Sequence, residues 1–157
     1  MTKFFITACC ILALHVAAIA QPAVGAKSPE VTLPNMTGSQ IKLSSFKGKV
    51  VLLDFWASWC GPCRRTMPGL KSLYSKYKSK GFEIYAISVD QDPAAWKQAV
   101  AQDATTWTHV LDSQGNVANQ WNVRYIPNSY LMDKEGKVVA VNLSEEELEK
   151  QLAKLTK

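Results

Sequence analysis

The sequence predicts an α/β domain, and three observations carry that prediction. Val50-Val51-Leu52-Leu53-Asp54-Phe55 is apolar except for one carboxylate, which suits a strand covered on both faces. Gly61 and Pro62 then turn the chain, and Met67, Leu70, Leu73, Tyr74 and Tyr77 recur at helical spacing. A second apolar run, Phe82 to Val89, follows, so that strand, helix and strand succeed one another.

The chain has 157 residues, enough for one domain plus a tail. At 47% hydrophobic and 20% charged it has an ordinary globular composition. The net charge of +5 is spread over helix-like segments with no long Lys/Arg block, so no nucleic-acid partner is expected.

Residues 1–20 carry one charge, Lys3, then the apolar run Phe4 to Ala20, which ends Ala18-Ile19-Ala20. This is the pattern of a secretory signal peptide, with cleavage after Ala20 or after Ala26. The alternative is an uncleaved membrane anchor, because the run approaches the lower length for spanning a bilayer. Cys9 and Cys10 have too little apolar chain before them for a lipoprotein signal. Cleavage leaves Cys60 and Cys63 as the only cysteines, in a compartment where disulfides persist. Residues 21–30 are small and polar and read as a linker to a domain over 31–157.

Within the domain, Val31-Thr32-Leu33 and Ile41-Lys42-Leu43 flank a turn containing Gly38 and predict a β-hairpin. The central strand and the Pro62 helix follow, the helix ending near Gly81 with Pro68 inside it. After the strand 82–89, Asp92-Pro93 opens a helix with Trp96 and Val100 on one face. Thr108 to Asp112 is a short strand and Gly115 to Trp121 a short helix. Pro127 precedes a strand-like run, Lys134-Glu135-Gly136-Lys137 is a hairpin turn, and Val138 to Val141 is the last strand. Ser144 with Glu147 is a capping-box signature for a final helix, whose acidic first turn is read as structural.

Cys60 and Cys63 lie two residues apart at the start of the Pro62 helix. A helix N-terminus carries partial positive charge and unpaired N–H groups, which favour a thiolate. Cys60 is therefore the expected attacking sulfur, and the pair can cycle between dithiol and disulfide. Zinc would need four ligands, and beyond the N-terminal segment only Cys60, Cys63 and His109 remain, one short. No metal site or cofactor is expected, and His109 is read as structural.

Asp54-Phe55-Trp56-Ala57-Ser58-Trp59-Cys60-Gly61-Pro62-Cys63-Arg64 resembles the active-site segment of thioredoxin. From about Val31 onward the chain resembles extracytoplasmic thioredoxin-like oxidoreductases of the TlpA/ResA type. The resemblance implies a thioredoxin fold: a central mixed β-sheet flanked by helices, with an N-terminal hairpin and an extra helical insertion. It implies a cis bond before Pro127, with that proline facing the cysteine pair. It also implies that Asp54 takes the proton that Cys63 must lose, and desolvation on an apolar strand would raise its pKa to suit. The alternative is a buried structural carboxylate. The type often has Glu three residues after the second cysteine, where this chain has Thr66.

Trp59, Gly61, Pro62, Ile126 and Pro127 are expected at the substrate-docking surface, with Ile126 offering its backbone for strand addition. Trp56 is left between that surface and the core. The expected partners are protein disulfide substrates and a membrane thiol electron donor, and the expected state is a monomer. Cytochrome c precursors and misoxidised secreted proteins are the clients the family implies. The Gly61-Pro62 spacer matches reducing thioredoxin, at about −270 mV, more than the oxidant DsbA, at about −120 mV. A copper(I) chaperone using Cys60, Cys63 and His109, a dithiol oxidant and a peroxidase are the rival readings. The peroxidase is disfavoured because Ala57 stands where peroxiredoxins place Thr.

Overall fold

The computed structural model describes residues 21–157. The expected signal peptide, with Cys9, Cys10 and His15, lies outside the described residues. Among the described residues no helix is long and apolar enough to cross a membrane.

The central apolar run forms β3 (Val50–Trp56), buried along its whole length. It pairs in parallel with β4 (Phe82–Ser88) and antiparallel with β6 (Asn128–Met132). β5 (Thr108–Leu111) adds in parallel to β4, and β7 (Val138–Val141) antiparallel to β6. The sheet order is β5-β4-β3-β6-β7, and the hairpin is β1 (Thr32–Pro34) with β2 (Gln40–Lys42).

Side chains alternate across a strand, so β3 feeds two cores. Val50, Leu52 and Trp56 join a core with Met67, Leu73 and Tyr77 of α1 (Gly61–Tyr77). Trp96 and Val100 of α2 (Pro93–Asp103), the expected insertion, pack there too, with Leu148 and Leu152 of α4 (Glu145–Leu155). Val51, Leu53 and Phe55 meet Leu33, Leu43, Val117 and Trp121 on the other face, the last two from α3 (Asn116–Gln120) and the residue after it. Asp54 has the parity of Leu52 and Trp56, and therefore points toward the α1 and α4 side.

The helix boundaries follow local chemistry. α1 gives way to a single 3₁₀ turn, Lys78–Lys80, which Gly81 closes in the left-handed region at φ 87°. Asp92 caps α2 by accepting from the Ala94 N–H at 2.8 Å. The capping box of Ser144 and Glu147 is formed.

The segment read as a linker is in fact tied to the sheet. Gly25 N–H donates to Val138 O at 2.7 Å, Val138 N–H to Ala26 O at 2.9 Å and Ser28 N–H to Gly136 O at 2.9 Å. The physical reason is the edge of β7, whose outward backbone groups have no other partner among the described residues. The hairpin covers the opposite edge through an isolated bridge between Asn35 and Val110.

Candidate active site

Cys60 is the N-cap of α1, and Gly61 and Pro62 form its exposed first positions. Pro62 has no N–H to satisfy there, so the first turn accepts it without loss. Cys60 and Cys63 are joined by a disulfide, their Cα atoms 5.3 Å apart. Cys60 Sγ accepts from the Cys63 backbone N–H at 3.2 Å. In the dithiol form the same N–H and the helix N-terminus would stabilise negative charge on that sulfur. Both cysteines are buried in the disulfide form, and Trp59 beside them is 68% exposed.

The loop before Cys60 is held by a carboxylate that the sequence reading passed over. Asp90, just past β4, is buried. It accepts from Ser58 N–H at 2.9 Å, Ser58 Oγ at 2.5 Å and Ser88 Oγ at 2.6 Å. On the other side Arg64, next to Cys63, donates to both carboxylate oxygens of Asp103, with its shortest contact at 2.6 Å. That ion pair ties α1 to the end of α2.

Asp54 is 7% exposed and receives no hydrogen bond among the described residues. Burial alone pushes its pKa up to about 7. It lines a cavity of about 290 Å³ between α1, β3, β6 and α4, together with Thr66, Pro127 and Glu145. Thr66, one turn past Cys63, donates its hydroxyl to Cys63 O at 2.8 Å. The carboxylate and the cysteine helix therefore meet at one cavity, several times the volume of a single water.

The Ile126–Pro127 bond is cis, and both residues are half-buried. Tyr125, at 61% exposure, lines the same cavity and receives Asn142 Nδ2–H on its hydroxyl at 3.3 Å. Trp56 is fully buried and belongs to the core, with its ring edge-on to His109 at 5.8 Å. His109 stacks on Trp107 and pairs its Nε2 with Thr105 Oγ1 at 2.7 Å. Burial lowers its pKa to about 4, so it is neutral at ordinary pH. It does not complete a cluster with the two cysteines; among the described residues no three metal-ligating side chains group together.

Residues 23–156 match the redoxin family. The chain belongs to that family. A relative named thiol-disulfide oxidoreductase ResA, from Bacillus thuringiensis subsp. konkukian, is 38% identical over 136 residues, covering 85% of this chain and 79% of the relative. The thioredoxin domain of a thiol-disulfide oxidoreductase from Bacteroides vulgatus superposes with a TM-score of 0.81 at 35% identity, covering 86% of this chain and 99% of that one. A thiol:disulfide interchange protein from Bacteroides sp. gives 0.79 at 36% identity, covering 86% and 91%. This redoxin is a thiol–disulfide oxidoreductase of thioredoxin-like fold, and Cys60–Cys63 is its cysteine pair.

The helix-start position of the cysteines was legible because local signals fix it. Asp90 and Glu145 were not. Asp90 stands 32 residues from Ser58, and nothing near it in the sequence marks it as a loop anchor. Glu145 looked like an ordinary first-turn acid of α4; only packing brings it to the cavity of Asp54.

Proposed function

We propose that this redoxin is a reductant, passing two electrons from its Cys60–Cys63 dithiol to disulfides of exported proteins. The observation that carries the reading is Cys60 at the N-terminus of α1, its sulfur accepting the Cys63 N–H, with Gly61-Pro62 as spacer. Cys60 thiolate attacks one substrate sulfur, and the other leaves as a thiolate that takes a proton from solvent. Cys63 then loses its proton and attacks Cys60 Sγ, which closes the protein disulfide and releases the second substrate thiol. Asp54 accepts the Cys63 proton, supported by its pKa of about 7 and its place in the cavity beside Thr66.

Trp59, Gly61 and Pro62 form the exposed apron around the sulfurs. The backbone of Ile126, held by the cis bond to Pro127, pairs with an extended substrate segment. Residues 1–20 direct export, and a membrane thiol donor returns the disulfide to the dithiol. The chain acts as a monomer, and cytochrome c precursors and misoxidised secreted proteins are the clients.

The test is reduction of insulin disulfides with dithiothreitol as donor. Cys60→Ser abolishes turnover, and Cys63→Ser accumulates mixed disulfides with substrate. A Cys60→Ser protein with full turnover would overturn the assignment of the nucleophile.

A further inference from the structure

The cavity lined by Asp54, Thr66 and Pro127 has two carboxylates and no cation in its lining. Asp54 lies at its base, 93% buried and with no hydrogen-bond partner among the described residues. Glu145 stands at its rim on the first turn of α4 and is exposed. Among the described residues no Lys, Arg or His pairs with either: the four ion pairs involve Glu83, Asp103, Glu149 and Glu146. Arg64, the nearest cation in sequence to the cysteines, is committed to Asp103. Between the carboxylates the walls are mostly apolar, from Leu70, Leu143, Leu148 and Pro127, with neutral polar groups from Thr66 and Asn142.

Gly69 explains how the rim is built. It sits inside α1, one turn past Arg65, where glycine is a poor helix former relative to alanine. A methyl group placed on it overlaps the Glu145 carboxylate. The missing side chain on α1 is therefore what lets a carboxylate from α4 lie against that helix at the cavity mouth.

We infer that this cavity is a specificity subsite for a basic side chain, Lys or Arg, flanking the substrate's cysteine. The methylenes of such a side chain suit the leucine and proline walls, and its charged end meets Glu145 on the way to Asp54. The subsite is continuous with Pro127, next to the Ile126 backbone proposed to pair with the substrate. An acidic side chain would meet the Glu145 carboxylate at the mouth and make ionisation of Asp54 costlier still, and a neutral apolar one would gain no charge contact. The inference rests on the reductase reading and adds the substrate class that it favours.

The test uses the reduced protein and three symmetric peptide disulfides, identical except for Lys, Leu or Glu on both sides of the cysteine. The rate of peptide thiol release is followed at low and high salt. The Lys peptide should react faster than the Glu peptide by about fivefold at low salt, the upper size expected of one partly exposed charge contact, and the ratio should shrink as salt rises. Glu145→Lys should invert the order. Gly69→Ala should weaken the preference while Glu145 is still present, because the new methyl displaces a flexible carboxylate and leaves the helix a better former. Equal rates for the three peptides, or a preference that survives Glu145→Lys, overturns the inference and leaves the reductase reading standing. Failure of all three peptides to be reduced overturns the reductase reading itself.

Discussion

Replacing Asp54 with Asn tests the central electrostatic claim. The carboxyl is 7% exposed, and its pKa is raised from 3.8 to about 7 by burial. A carboxyl with a raised folded pKa binds more protons folded than unfolded. It therefore costs nothing below the unfolded value, and destabilises the fold progressively as pH rises between the two values. Three units correspond to about 4 kcal/mol once pH exceeds the folded pKa, and about half of that near pH 5.4. Asn keeps the shape and cannot ionise, so it opens no new cavity.

Asp54→Asn should match the parent near pH 3.5 and exceed it by about 4 kcal/mol above pH 7. At a few degrees per kcal/mol for a domain of this size, that is a rise in Tm of about 10 °C. The assay is urea unfolding of both oxidised proteins across pH, followed by fluorescence of the buried Trp56, Trp96 and Trp121. Turnover at neutral pH should fall in the same variant if Asp54 is the acceptor proposed above for the Cys63 proton. Stability profiles that stay parallel from acid to alkali would refute the argument, since Asp54 would then titrate alike in both states.

Three further outcomes are expected. A redox titration against glutathione or dithiothreitol should place the Cys60–Cys63 couple near thioredoxin's, about −270 mV; a value near about −120 mV makes the protein an oxidant. Asp90→Ala strands the N–H and hydroxyl of Ser58 and the hydroxyl of Ser88, and should cost about 3 kcal/mol in urea unfolding while slowing alkylation of reduced Cys60. Ser144→Ala removes the capping box of α4 and should cost about 1 kcal/mol by the same measurement, with an unchanged effect in the Asp54→Asn background if the two sites are independent.

The sequence by itself determined what short-range physics controls. The apolar run of β3, the Pro62 start of α1, the Gly81 stop and the Ser144–Glu147 box each depend on residues within one turn or a few strand positions. Cys60 and Cys63 are three residues apart, so their pairing at a helix start was legible too. The cis bond before Pro127 was legible only through resemblance, because nothing local distinguishes it from other X–Pro bonds.

The tertiary structure decided what lies across the domain from each of these. Strand parity sent Trp56 into the α1 core and left Asp54 facing a cavity. The unpaired edge of β7 drew in residues 25–28, which composition alone marked as a linker. Asp90 meets the cysteine loop because the end of β4 lies beside the end of β3 in the parallel pair. Glu145 reaches the Asp54 cavity because Gly69 leaves space on a helix 76 positions earlier in the chain. Contacts of this kind carry no local signature, since they form only when two elements pack and a gap in one admits the side chain of the other.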